Sequence, residues 1–369
     1  MQTPLATEPW RVMVLGGRGY FGRRVVDLVR QSTDVDVVVG GRSTEPPVDL
    51  LAPETLGALD GFDVILNCTD SVGASPVAAA KRVLEHGGVW MDMAADTATV
   101  QQLLALPSRD ATGHVVVGVG LFPGILTMLG RYVADLVNPC QRVDLGVRLS
   151  TLSGAGRGNC RLMVEMLREP GFDIHEGKPR PQPTLGGVTA LPYAETGPAA
   201  SVAITLPDTP LVRRVTMAPA VATHMALVPG WLRPGFTVAQ WVIDHSGPLR
   251  PLVLWVTHLW LLALRFMLLR GVSTPVQLTA VANAGQPDET TRALSFDDGR
   301  DATAMGAVAS LLLWRELEPP EPGVHVAAGL FGLDEALVRL AHADLDPPGL
   351  VDPTGPPRPP ADGPTPLQD

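Results

Sequence analysis

The chain has 369 residues, long enough for two domains, and 46% of them are apolar against 18% charged, which excludes wholesale disorder. A formal net charge of −10 excludes a basic face for nucleic acid. Three scattered cysteines (Cys68, Cys140, Cys160) without a CxxC spacing exclude a disulfide framework and a zinc knuckle, and fit a reducing, cytoplasmic setting.

Residues Met1 to Trp10 show no charged region followed by an apolar one, so no export signal is expected. Short β-branched runs then begin at Arg11, Val35, Asp63, Val89 and His114, at steps of 24, 28, 26 and 25 residues. Each step leaves room for one helix and two loops, the rhythm of β-α units in a parallel sheet. The runs are apolar throughout, as strands covered on both faces are. Phe21, Val25, Leu28 and Val29 set one apolar stripe on the first helix. Ser75 and Pro76 read as N-cap and first position of another, which Gly87-Gly88 closes.

Between the first run and the first helix stands Gly16-Gly17-Arg18-Gly19-Tyr20-Phe21-Gly22, in which Gly17, Gly19 and Gly22 make a GxGxxG. Such a motif supplies a tight turn, an approach for a pyrophosphate, and close packing of helix on strand. The second run ends at Gly40-Gly41-Arg42-Ser43-Thr44 with no carboxylate for the ribose hydroxyls. A guanidinium with two hydroxyls suits a 2′-phosphate, so the expected cofactor is NADP(H), held partly by Arg42 and Ser43.

Asn67-Cys68 closes the third run, Trp90-Met91-Asp92 the fourth, and Gly118-Val119-Gly120-Leu121-Phe122-Pro123-Gly124 follows the fifth, leading into an apolar helix from Ile125 to Val137. With the glycine motif, this order of elements resembles the saccharopine dehydrogenase-like oxidoreductases over most of residues 10–140, and again, faintly, at Pro322 to His325 and Gly329 to Leu340. The resemblance implies a Rossmann domain, then an α/β domain whose open sheet meets a small-molecule substrate and often a second subunit. It implies NADPH-dependent hydride transfer to a C=N or similar polarised double bond. It also sets Asn67, Cys68, Thr69 and Phe122 beside the cofactor. The Cys68 thiol itself reads as inert and buried rather than as a nucleophile, since no partnered histidine can be placed beside it. Asp92 and Asp96 can orient a protonated imine or relay a proton, or serve as helix caps and backbone acceptors. His114 opens a strand at the opposite edge and reads as structural.

The expected fold is therefore α/β: a doubly wound parallel Rossmann sheet over 8–122, to which 322–344 returns, and a second α/β domain over 123–321 with an open mixed or antiparallel sheet. In the second part, Val143 to Leu149, Val202 to Leu206 and Val212 to Met217 are strand candidates. Val276 to Asn283 and Thr291 to Phe296 alternate about a turn at Gln286-Pro287-Asp288 and predict a hairpin. Helices are expected over Cys160–Glu169, Ala302–Leu317 and around Leu333 to Ala341, the last docked on the first domain. The glycine-rich turn Ser153 to Asn159 places Arg157 at a helix start, a seat for a substrate carboxylate or a solvated loop residue. His224 is a further candidate for the cleft. The only lysines are Lys81 and Lys178, and no Tyr-x-x-x-Lys occurs, which excludes short-chain dehydrogenase chemistry.

Pro251 to Leu264 is a run of 14 uncharged residues between Arg250 and Arg265, too short to span a bilayer. Its wide apolar face, within an apolar stretch over 250–270, calls for cover: the protein's own second domain, a homodimer partner, a membrane surface, or a lipid-like substrate, the last two through 251–269. A lipid substrate points to an enoyl or keto reductase, and a docking face without turnover points to a non-catalytic nucleotide-binding module. From Asp346 to Asp369, nine of 24 residues are proline, which predicts a disordered tail.

Overall fold

The computed structural model describes residues 10–150, 161, 163, 164, 167, 171–228, 230, 233–268 and 275–354. Arg157, the turn around it and most of the helix expected over Cys160–Glu169 lie outside the described residues.

The first domain follows the spacing of the β-branched runs. Strands β1 (Arg11–Leu15), β2 (Asp36–Gly40), β3 (Val64–Asn67), β4 (Val89–Asp92) and β5 (His114–Val117) are parallel, and helices α1 (Tyr20–Ser32), α2 (Val77–His86), α3 (Thr97–Leu104) and α4 (Ile125–Asp135) alternate with them. Val25, Leu28 and Val29 of α1 are buried, as the stripe predicted. Register aligns Leu15, Gly40, Asn67, Asp92 and Val117 in one row, so the residues after them form one rim. β1 lies between β2 and β3. The order reverses there, and in open α/β sheets that switch point opens a crevice.

The second sheet is mixed. β6 (Arg142–Ser150) leads, followed by β7 (Gly171–His175), β8 (Lys178–Gln182), β9 (Val188–Tyr193), β10 (Gly197–Ile204), α5 (Asp208–Thr216) and β11 (Ala220–Val228). The segment Val212–Met217 is not a strand. Leu211 and Val212 bury themselves from a helix whose first turn holds Pro210, and the strand follows as β11, parallel to β6. β-Branched residues fill α5 because tertiary packing on α4, at Gly130, and on β11 overrides their strand preference. β8 carries Pro179 and Pro181, and it pairs with β7 alone, where an edge tolerates prolines.

The first residue of α5, Asp208, is fully buried, and the Thr127 hydroxyl donates to it at 2.6 Å. Burial pushes its carboxyl from 3.8 up to about 7, against the pull of that bond and of nearby amides. The native state therefore holds a proton that the unfolded chain has released. Its contribution to stability is expected to be fully present below about pH 4, to be lost as pH rises to about 7, and to stay lost above, with an upper bound of ~4 kcal/mol at ~1.4 kcal/mol per unit. Urea unfolding at about pH 4.5 and 7.5 measures the slope, and Asp208→Asn is expected to remove it.

Helices α6 (Arg233–His245) and α7 (Arg250–Leu268) form a hairpin, followed by β12 (Val276–Ala282) and β13 (Thr290–Phe296). The last two pair antiparallel through the predicted turn, and β12 adds to β6. The sheet order is β13-β12-β6-β11-β10-β9, with β7 on β11. The sheet curls until the turn after β9 meets its far edge: Glu195 accepts from Ser295 at 2.5 Å and from Gln277 at 3.1 Å. Gly146 permits this, because a Cβ there would lie 2.9 Å from the Tyr193 hydroxyl.

The chain then returns. Helix α8 (Gly299–Glu316) packs on α1, where Arg24 holds Asp301 through two 2.8 Å bonds. β14 (Gly323–Val326) joins β5 in parallel as a sixth strand, giving β14-β5-β4-β3-β1-β2 among the described residues. After the short α9 (Ala327–Leu330), α10 (Leu333–His342) packs on α8 and α4. The proline-rich stretch is not free from Asp346 on. Val351 exchanges backbone bonds of 2.9 and 3.0 Å with Ala293, covering edge strand β13, and Asp352 pairs with Arg292.

Candidate functional site

The rim of the first sheet carries an open cavity of about 530 Å3 at the β1/β3 switch point. Gly16, Arg18 and Gly19 line one wall, Gly41, Arg42 and Ser43 a second, and Cys68, Thr69 and Asp70 a third. Six of the residues expected from sequence at a cofactor (Gly16, Gly19, Arg42, Ser43, Cys68, Thr69) thus converge here.

The glycines divide the work differently from the simple motif reading. The turn out of β1 uses Gly16, at φ +79°, rather than Gly17. Gly17 is buried, and a Cβ there would meet the Val14 carbonyl and Val39 at 3.0 Å. A Cβ on Gly22 would lie 2.2 Å from the Gly16 oxygen, so Gly22 serves close packing. Gly19 is the N-cap of α1, extended at φ −74°, with no side-chain cap and no acidic residue in the first turn. The helix N-terminus therefore presents its amides and positive dipole end at the cavity without a competing carboxylate.

Arg18 reaches across to the second wall, donating to the Ser43 carbonyl at 2.9 Å and hydroxyl at 3.0 Å. Arg18 and Arg42 thus line the same cavity, with Val48, Leu50 and Leu51. Thr44 is engaged elsewhere: its hydroxyl donates to the Gly41 carbonyl at 2.7 Å and holds the turn. Arg161 closes the far end, ion-paired with Asp70 at 3.1 Å. Sequence reasoning passed over Arg18, Asp70 and Arg161. Arg18 stands inside the glycine motif, and Arg161 follows the second glycine-rich turn by two residues, so proximity to glycine was the available signal.

Tyr20, Phe21, Asn67 and Phe122 do not line the cavity. The Tyr20 ring lies 5.0 Å from the Arg300 guanidinium, and its carbonyl accepts from Arg300 at 2.7 Å. Asn67 is buried and works from behind the rim. Its amide oxygen accepts from the Thr69 hydroxyl at 2.7 Å and the Thr69 amide at 3.2 Å, and its nitrogen donates to Asp92 at 2.9 Å.

Asp92 is fully buried and takes three donors: Asn67, the Trp90 indole at 2.8 Å and the Ala94 amide at 2.7 Å. Burial pushes its carboxyl up, opposed by those same bonds. Asp96 caps α3, accepting from Thr99 at 2.8 Å. Burial, with the Asp92 charge behind it, pushes the Cys68 thiol up to about 12, the setting of an inert thiol. His114 and His325 pair across the opposite edge, and burial lowers both. His224 is buried on β11, and it too is lowered by burial. Half-buried Arg148, near the end of β6, lines a second cavity of about 360 Å3 with Met225 to Val228. No metal-holding group of His, Cys, Asp or Glu occurs among the described residues.

No protein-family model and no curated protein sequence matches the chain. Solved structures do. Apo saccharopine dehydrogenase (L-Glu forming) from Saccharomyces cerevisiae superposes with a TM-score of 0.63 at 12% identity, over 93% of this chain and 99% of that one. This is the saccharopine dehydrogenase fold. Homospermidine synthase from Legionella pneumophila, solved in complex with NAD, shares it with a TM-score of 0.61 at 11% identity, over 94% of this chain and 92% of that one. The resemblance first seen in the order of short motifs thus holds for the fold along nearly the whole chain.

Proposed function

We propose that the protein is an NADPH-dependent reductase that transfers hydride to a C=N or similarly polarised double bond of a small molecule. The observation that carries the reading is the cavity at the β1/β3 switch point, walled by bare glycine backbone and two guanidiniums. The residues fit a dinucleotide: Gly16, Gly19 and the first amides of α1 suit its pyrophosphate, and a Cβ at Gly19 would intrude on that cradle. Arg18 and Arg42 suit a 2′-phosphate, and Val48, Leu50 and Leu51 suit the purine. When bound, the cofactor supplies the hydride. The chain supplies position and exclusion of water, with Asp92 and Asn67 holding Thr69 at the rim and Arg161 flanking the far end. The C=N preference follows the motif resemblance over residues 10–140. The NAD in the homospermidine synthase structure is compatible with a nicotinamide cofactor of either kind.

One observation favours a second reading, an enoyl or keto reductase acting on a lipid: the outward faces of α6 and α7 are apolar and exposed. The test serves both. Purified protein is mixed with NADPH and, in turn, amine-plus-carbonyl pairs, enoyl thioesters and ketones, and loss of reduced-nicotinamide absorbance is followed. Turnover with an amine–carbonyl pair is expected. Turnover only with enoyl or keto substrates moves the assignment to the lipid reading, and binding without turnover on any substrate refutes a reductase.

Cofactor preference is tested separately. Arg18→Ala and Arg42→Ala each remove a charge-assisted donor worth about 1.5–3 kcal/mol, so each is expected to weaken NADPH binding about 10- to 100-fold. NADH binding is expected to change little. Equal losses for both cofactors in a fluorescence titration would exclude a 2′-phosphate role.

A further inference from the structure

The β10–β11 ladder stops short. Its register runs from Ile204–Thr223 to Val202–Met225, although β10 starts at Gly197 and β11 continues to Val228. Continued, it would set Ala200 against Leu227 and Ala199 against Val228. These residues instead line the cavity of about 360 Å3. Paired strands lie about 4.8 Å apart and leave no such space, so the sheet splits here. The cause is on either side: β10 leaves with β9, to which it is paired from Gly197 to Val202, and β11 stays with β6 through Val228. The gap is apolar but for one group. Val202, Ala226 and Leu227 are buried in its walls, and Arg148 is the one charged side chain among the described residues lining it. Arg148 stands beside Ala226 on β11, whose methyl group leaves the guanidinium room. Half-buried, it makes no hydrogen bond or ion pair with any described residue. Its other cross-strand neighbour, Gln277 on β12, is engaged with Glu195 at 3.1 Å and Thr196 at 3.3 Å.

We propose that the split between β10 and β11 is a binding site for a small monocarboxylate with an apolar chain, its carboxylate on Arg148 and its chain among Val202, Met225 and Leu227. A guanidinium carries only donors and keeps its charge, so an apolar wall costs it solvation that an anionic acceptor restores. Its planar fork matches the two oxygens of a carboxylate. The cavity's volume falls at the lower end of small-molecule sites. No described lining residue carries a carboxylate, so the ammonium of an amino acid would be buried there unpaired. The site shares no lining residue with the cavity at the β1/β3 switch point, and the inference does not rest on the reductase reading.

Hexanoate, 2-aminohexanoate and hexylamine are titrated into the full chain by calorimetry. Hexanoate is expected to bind at one site per chain, and the other two at least tenfold more weakly. Arg148→Met keeps an apolar stem while removing the charge. It is expected to weaken hexanoate binding about 10- to 100-fold, with circular dichroism and NADPH affinity unchanged. Ala200→Leu fills the gap from an exposed position and is expected to weaken hexanoate at least tenfold with the guanidinium intact. Should these variants fail to fold, a diazirine-bearing hexanoate that labels β10 or β11 of the wild-type chain supplies the same answer. The proposal is overturned by wild-type protein that shows no saturable hexanoate binding, or that binds hexylamine or 2-aminohexanoate as tightly. It is equally overturned by hexanoate affinity that either folded variant retains, or by photolabel confined to other elements, which would place the ligand elsewhere. None of these readouts requires turnover.

Discussion

Replacing Gly19 by valine is expected to leave the protein folded and to weaken NADPH binding by about 100-fold, or ~2.7 kcal/mol. Gly19 sits at φ −74° and ψ 179°, which any L-residue adopts, so no backbone strain arises. Its new Cβ would find one close neighbour, the Gly16 carbonyl oxygen at 3.0 Å, and otherwise project into the cavity. The stability cost is that of a poorer N-cap, about 1 kcal/mol. Gly22 gives the contrasting control. A Cβ there would overlap the Gly16 oxygen at 2.2 Å and carbon at 2.8 Å, both backbone atoms. Gly22→Ala is therefore expected to pry α1 from β1 and lower Tm outright, by several kcal/mol in stability. Isothermal titration and thermal melts separate the two. A Gly19→Val protein that binds NADPH normally removes the dinucleotide reading at its base.

Asp92→Ala is expected to cost about 3–5 kcal/mol of stability. The reason is what it would leave behind. The Asn67 amide, the Trp90 indole and the Ala94 amide all donate to this carboxylate inside a sealed core. Without it, three buried donors lose their acceptor. Asp92→Asn keeps the shape but sets an N–H₂ against other donors, so it is expected to fall between wild type and alanine. Asn67 also anchors Thr69 at the rim, so both variants are expected to bind NADPH more weakly than their folded fraction alone explains. Urea titration with and without cofactor measures both effects. A stable Asp92→Ala protein with normal affinity would show that the network carries neither role.

The first domain was legible in the sequence because its code is local. A strand covered on both faces has to be apolar throughout, and a β-α repeat has a fixed minimum length, so the five starts from Arg11 to His114 could be placed by counting. The β12–β13 hairpin was legible for a related reason: alternation and a turn at Gln286-Pro287-Asp288 lie within one short window. The middle of the chain was not. Val212 and Val215 look like strand residues until α4, with Gly130, and β11 are in place to receive a helix. β8 has a sequence, with Pro179 and Pro181, that argues against any strand except one at an edge, and edges are a property of the whole sheet.

The site divides along the same line. Sequence by itself determined that a bare glycine turn meets a helix start beside Arg42, because turn, motif and strand end are set by neighbours in the chain. It also determined that the stretch around Pro251 to Leu264 needs cover, since an uncharged run is a fact of composition. Only the tertiary structure decided that Arg18 crosses to Ser43 and that Arg161 pairs with Asp70 over the cavity. It alone decided that Asp92 turns inward to three donors, and that one side of the α6–α7 hairpin stays exposed. Contacts between residues 25 or 91 positions apart depend on how strands and helices stack in space, and no local pattern of residues records that.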